Sequence, residues 1–151
     1  MSFLIAEIAQ SHDGSLGIAH SYIDALKDVG VDAIKFQMHI AEAESSIHEP
    51  FRTKFSYEDD SRYDYWKRME FSYEQWEGLK KHCDDLNIEF IASPFSIKAS
   101  SWLRKLKVKK VKIGSGEINN KLLIDHVSGY VDEIILSSGL CSEDELQDII
   151  D

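Results

Sequence analysis

Cysteine is scarce: the 151-residue chain has two, Cys83 and Cys141, far apart and without a Cys-x-x-Cys partner. That argues against a disulfide framework and fits a reducing cytoplasm. Long apolar runs are missing too, since no stretch approaches the roughly 20 residues that span a bilayer. The opening Met1-Ser2-Phe3-Leu4-Ile5-Ala6-Glu7 has no basic leader region and meets a carboxylate early, unlike a secretory signal. Basic residues are outnumbered, 17 Lys and Arg against 27 Asp and Glu, for a formal charge of −10. Such a chain is a poor match to nucleic acid or to an anionic membrane surface. With 43% apolar and 29% charged residues, it reads as a globular domain long enough to bury a core. The expectation is a cytoplasmic domain that handles small molecules, with neither nucleic acid nor membrane as partner.

What the chain does have is alternation. Short β-rich runs, Phe3–Ile8, Asp32–Gln37, Ile88–Ala92, Lys110–Ile113 and Glu133–Leu136, are separated by segments of helical period. Leu16, Ala19, Ile23 and Leu26 recur at helical spacing, with Gly30 placed to end the helix. Ser72 and Gln75 stand in capping-box spacing ahead of Trp76, Leu79, Cys83 and Leu86. Ser96 opens a short helix, another runs from about Asn119 to His126, and Ser142 with Glu145 opens a last one. Ser93-Pro94 is expected to stop the third strand, because proline cannot donate to a ladder.

Five consecutive βα units imply an α/β fold with a parallel sheet. Two architectures fit: the first five units of a (β/α)8 TIM barrel, or a five-stranded doubly wound sheet. Strand order separates them. The barrel requires 1-2-3-4-5, whereas the doubly wound sheet places strand one centrally.

Residues 38–71 break the rhythm. They carry Phe51, Phe55, Tyr57, Tyr63, Tyr65 and Trp66 without a clean period. Two readings are open, an ordered flap over the mouth of the sheet and a loop packed on a helix face.

In both architectures ligands bind at the C-terminal ends of the strands. There the sequence places Glu7, Gln10, His12 and Asp13 after strand one, and Lys35, Gln37 and His39 on one face of strand two. Ser93 follows strand three, Lys112, Ser115 and Glu117 strand four, and Ser137 and Ser138 strand five. Lysine within an apolar strand needs a partner, because burying a lone ammonium is costly. Either lysine alone is explained by snorkelling, or by pairing with Glu7 or Glu117. Together, each beside a polar cluster, Lys35 and Lys112 favour an anion site. Gly114-Ser115-Gly116 could turn backbone N–H groups toward the anion, although Asn119 stands where a GxGxxG motif needs its third glycine. The run from Arg104 to Lys110 reads as a solvated basic face. No GxSxG or HExxH motif is present, and no metal site is assigned.

The same residues carry a family resemblance. Ile5-Ala6-Glu7-Ile8 with Ser11-His12-Asp13-Gly14-Ser15-Leu16, then Ala33-Ile34-Lys35-Phe36-Gln37, Ala92-Ser93-Pro94-Phe95, Lys112-Ile113-Gly114-Ser115-Gly116-Glu117 and Leu136-Ser137-Ser138-Gly139 occur in order. This ordered set resembles the N-acetylneuraminate (sialic acid) synthase family along nearly the whole chain. Ser11 stands where the family commonly has asparagine, and Ser93 where it often has threonine.

The resemblance implies a (β/α)8 barrel that condenses phosphoenolpyruvate with an N-acyl hexosamine such as N-acetylmannosamine. A related legionaminate- or pseudaminate-type synthase is an alternative, and so is a non-catalytic domain binding a phosphorylated ligand. By motif position, Lys35, Lys112, Ser93, Ser115 and Ser137 would hold the phosphate and carboxylate of phosphoenolpyruvate, with Gln37 assisting. Glu7 and Glu117 would handle protons and sugar hydroxyls. Residues 1–151 would then be the N-terminal portion of the barrel, without the remaining units or the C-terminal antifreeze-like domain. The family's divalent metal, manganese or magnesium, would be held by histidines outside this chain, and the full-length form would be a homodimer. The chain alone is expected to show little or no synthase activity.

Overall fold

A computed structural model describes residues 2–150. Five strands, β1 (Ile5–Ala9), β2 (Ala33–Met38), β3 (Glu89–Pro94), β4 (Lys110–Ile113) and β5 (Glu133–Leu136), form one parallel sheet in the order β1-β2-β3-β4-β5. Helices α1 (Leu16–Val29), α4 (Tyr73–Asp85), α5 (Ile97–Lys105) and α6 (Lys121–Ser128) are the crossovers. Two short helices, α2 (Ala41–Glu44) and α3 (Arg62–Met69), lie between β2 and α4, and α7 (Glu143–Ile150) follows β5.

All four crossover helices pack on one face of the sheet. Ile34, Phe36, Met38, Phe90, Ala92, Val111 and Ile113 enter a single core with Ile23, Trp76, Leu79, Leu103 and Leu123. In register, Ile34 pairs with Phe90, Phe36 with Ala92, and Ala92 with Val111, so these strand residues share a side. A doubly wound sheet would need strand one inside the order and helices on both faces. The chain therefore has the architecture of five units of a (β/α)8 barrel wall, with β1 and β5 unpaired to each other among the described residues.

Local chemistry sets the helix ends where the sequence places them. Gly30 caps α1 in the left-handed conformation at φ 80°, and Ser72 and Gln75 close a reciprocal capping box on α4. Ser96 accepts from the Ala99 N–H, and Asn120, one residue later than expected, caps α6. Trp76 is fully buried in the core, edge-on to Phe36 at 5.9 Å and to Phe71 at 5.2 Å. Cys83 is buried beside it, and burial pushes its thiol up to about 12, far from a reactive thiolate. Both cysteines are free.

Three expectations need correction. β3 runs through Ser93 and Pro94 instead of stopping at Ala92, because Pro94 is its last residue, where a missing N–H interrupts nothing further. β1 begins at Ile5 rather than Phe3. Lys110 is not part of a solvated basic face. Its ammonium lies 3.4 Å from Glu89 and 3.2 Å from Glu133, beneath the Phe3 ring at 4.2 Å, and closes the N-terminal end of the sheet.

Residues 38–71 are an ordered flap clasped to the rim. Arg68 of α3 donates to Asp13 at 2.6 Å and to buried Asp59 at 2.8 Å, while Asp59 also accepts from Ser56. Gly14, at φ +74°, lies so close to this flap that a Cβ there would fall 2.2 Å from the Arg68 carbonyl oxygen. Among the described residues, no helix is long and apolar enough to cross a membrane.

Two substitutions separate backbone strain from flap contact. Gly30 has left-handed geometry with nothing within 4 Å, so Gly30→Ala should cost about 1 kcal/mol. Gly14→Ala should lower the urea midpoint further, because it must also displace the Arg68 carbonyl; equal losses would show that the flap is not held there. His12 supplies an acid-stability test. It is fully buried, its ring tilted against Phe71 at 4.7 Å, and burial, with His39 as second cause, brings it down to about 4. The unfolded imidazole binds its proton near 6.5 and the folded one only near 4. Stability present above pH 6.5 should therefore decline as the pH falls through that window. His12→Asn, which keeps an acceptor for the Gly14 N–H, should flatten part of the slope in urea titrations.

Candidate active site at the strand C-termini

Alternation along β2 sends Ile34, Phe36 and Met38 into the helix-side core, which leaves Lys35 and Gln37 on the opposite, inner face. Register extends that face across the sheet. Glu7 pairs with Lys35, Gln37 with Ser93, and Lys112 with Ile135. Parallel strands in sequence order thus bring residues distant in the chain onto one surface.

The centre of this surface is an ion pair. The Lys35 ammonium meets the Glu7 carboxylate across adjacent strands, with the lysine side chain nearly buried and Glu7 about half exposed. A register shift between Glu7 and Ala9 bulges β1, and Ala9 adopts φ 50°, a left-handed conformation costing on the order of 1 kcal/mol for alanine. The bulge turns the Ala9 N–H onto Glu7 Oε1 at 3.1 Å and steadies the carboxylate. Burial, and secondly the positive charge of Lys112, bring Lys35 down from its usual range to about 8. The Glu7 carboxylate acts in the opposite sense. Lys112 is thus near enough to repel Lys35. It bends back over the loop after β4, where its Nζ is 3.9 Å from the position a Gly114 Cβ would take.

Ser93 is 2% exposed, and its hydroxyl has no hydrogen-bond partner. A buried, unpartnered hydroxyl costs about 1–3 kcal/mol, and here it lies between the β2 and β4 cations on the inner face. Two ammonium groups and an orphaned hydroxyl on one surface suit a phosphate or carboxylate.

Beyond them, a cleft of about 440 Å³ is lined by Gln37, His39, Glu44, Trp66, Phe95 and Glu117, among others. Glu117 sits on the short 3-10 turn Ser115–Glu117 and accepts from Asn120 Nδ2 at 2.8 Å. Lys35, Glu7 and Lys112 thus converge, and Gln37 and Glu117 line one cleft. Ser115 and Ser137 lie on the loops after β4 and β5, with no hydrogen bond or ion pair to the other site residues among the described residues. Lys112 is not paired with Glu117, one of the two carboxylates that could have explained it structurally.

Trp66, Phe95 and Glu44 line the cleft, and sequence reasoning did not number them among the candidate site residues. His39 is stacked between Trp66 at 3.9 Å and Phe95 at 4.2 Å. One signal was available. Ser61 and Asp64 have N-cap spacing, and Ser61 does cap α3, the helix that delivers Trp66. Among the described residues no three His, Cys, Asp or Glu side chains group to hold a metal ion. His12 accepts from the Gly14 N–H through Nδ1 and keeps a buried, unpartnered Nε2, and His39 is engaged by Glu44.

Comparison with known proteins follows this geometry. A diacetyllegionaminic acid synthase from Legionella pneumophila is 32% identical over 99% of this chain and 43% of its own length. The human N-acetylneuraminate-9-phosphate synthase is 32% identical over 97% of this chain and 42% of its own. A sialic acid synthetase from Leptospira borgpetersenii, crystallised with citrate, superposes with a TM-score of 0.78 at 29% identity, covering 98% of this chain and 48% of that one. The chain spans less than half the length of these relatives. The model of the NeuB family matches residues 22–151. By that match, which takes in Lys35, Gln37, Ser93, Lys112, Ser115, Glu117 and Ser137, the chain belongs to the NeuB family of sialic, legionaminic and pseudaminic acid synthases.

Proposed function

We propose that this chain carries the phosphoenolpyruvate half of a synthase that joins phosphoenolpyruvate to an N-acyl hexosamine, giving a nonulosonic acid and phosphate. The observation that carries the reading is the approach of Lys35 and Lys112 on the inner face, beside the unpartnered Ser93 hydroxyl. A trianion is held by fixed cations and short hydroxyl donors, and these are the groups available there. Lys35, Lys112, Ser93, Ser115 and Ser137 would bind the phosphate and carboxylate.

In the proposed reaction the enol carbon attacks the open-chain aldehyde of the sugar. Water adds to the resulting cation, and phosphate departs by C–O cleavage. Glu7, beside the Lys35 ammonium, would take a proton from that water. Glu117 would meet the sugar, and Gln37, expected to assist at phosphoenolpyruvate, lines the same cleft as Glu117 and would serve the sugar instead. The alternatives within the family, legionaminate- and pseudaminate-type synthases, keep the anion site and change the sugar.

The remaining barrel units, an antifreeze-like domain, the divalent metal (manganese or magnesium) with its histidine ligands, and a homodimeric partner belong to the same proposal. In this reading they would lie beyond these five units, and the enzyme would be cytoplasmic. Condensation by the 151-residue chain alone should accordingly be negligible.

Titration calorimetry with phosphoenolpyruvate or inorganic phosphate tests the anion site. Lys35→Ala and Lys112→Ala should each weaken binding about tenfold or more, since a lost charge-assisted contact is worth about 1.5–3 kcal/mol. Unchanged affinity in both variants would remove the anion site from consideration. Wild-type affinity should fall as the pH rises through about 8, where Lys35 loses its proton, and Lys35→Ala should abolish that component.

A further inference from the structure

We infer that His39, held by Glu44, is a positioning residue that locks the side-chain amide of Gln37 and so builds the flap into the acceptor side of the cleft, an assignment that rests on the synthase reading of this same site for the identity of the acceptor. His39 follows β2 directly and is 3% exposed. Its ring is clamped nearly parallel between Trp66 of α3, at an interplanar angle of 14°, and Phe95 of the loop after β3, at 16°. So held, the imidazole cannot rotate, and each nitrogen has one fixed neighbour. Nδ1 lies 2.7 Å from Glu44 Oε1, and Nε2 lies 3.3 Å from Gln37 Oε1.

The amide of Gln37 is gripped at one end. That end meets both His39 Nε2 and Gln10 Nε2, the latter at 3.3 Å. The other end of the amide is turned toward the cleft that Gln37 lines with Glu117.

A fixed amide beside a carboxylate, with Trp66 and Phe95 in the wall, suits the acyl and hydroxyl groups of an N-acyl sugar. Glu44 adds an independent observation. Its side chain is 7% exposed and its Oε2 is buried without a partner. A carboxyl group so placed is expensive as packing alone and is accounted for by the orientation it imposes on His39.

The test uses the full chain and the double substitution His39→Phe with Glu44→Leu, which keeps an aromatic ring in the sandwich and leaves no buried carboxylate behind. In ¹H–¹⁵N spectra of the wild type, the Gln37 side-chain amide should give two well-resolved signals. In the double variant, with an unchanged melting transition, these should move toward the averaged positions of a free glutamine. Unchanged Gln37 signals would overturn the inference. In the form of the protein that condenses, the double variant should raise KM for the acceptor sugar about tenfold and leave KM for phosphoenolpyruvate unaltered. Glu44→Gln, which still hydrogen-bonds Nδ1, should retain most of the wild-type acceptor KM. An unaltered acceptor KM in the double variant would likewise overturn the inference. Should the wild type fail to bind phosphoenolpyruvate or phosphate while the Gln37 signals respond as stated, the synthase reading falls and the positioning role stands.

Discussion

Lys35 lies inside an otherwise apolar strand, and its nearly buried ammonium is tolerable because Glu7 meets it from the neighbouring strand. Much of the site follows from that ion pair. It keeps the β2 cation on the face away from the helices, and it gives a reason for the bulge and strained Ala9 in β1, which aim the carboxylate. It also leaves the pair within electrostatic reach of Lys112. In the proposed function an anion entering this surface would meet Lys35, already held by its partner, with Lys112 close by. Such preorganisation is what an electrostatic site requires, since no reorganisation is then needed when charge develops.

The three strand lysines show how context separates structure from function. Lys110 is surrounded by Glu89, Glu133 and the Phe3 ring, so its charge is satisfied within the fold. Lys112, two residues on, has no carboxylate partner among the described residues and bends toward the Gly114 turn. The residues alternate along one strand and share a face, yet one closes the N-terminal end of the sheet and the other opens toward the ligand rim.

The flap is the second organising feature. It is fastened at two points of different chemistry, the Arg68 clasp to Asp13 and Asp59 and the His39 ring between Trp66 and Phe95. The clasp ties it to the loop after β1, and the stack ties it to the ends of β2 and β3. Flap and rim therefore share one set of side chains, and the cleft exists only when both are in place.

Much of this was legible in the chain. Alternating strand and helix periods announced five βα units, caps at Ser72, Ser96 and Gly30 marked helix ends, and parity alone put Lys35 and Gln37 on one face. These are local matters, settled by backbone geometry and by residues a few positions apart. Whether the sheet was a barrel wall or doubly wound was not local, and strand order decided it, because crossover direction depends on packing across the whole sheet. Nor could spacing reveal that Glu44 and Trp66 reach His39, that Lys110 is paired while Lys112 is not, or that Ser93 keeps an unpartnered hydroxyl. Those facts depend on which side chains meet through space, and residues 38–71, lacking a clean period, gave no one-dimensional sign of where they fold. Periodicity settles what each segment becomes; burial and charge pairing between segments decide which of its residues are free to act.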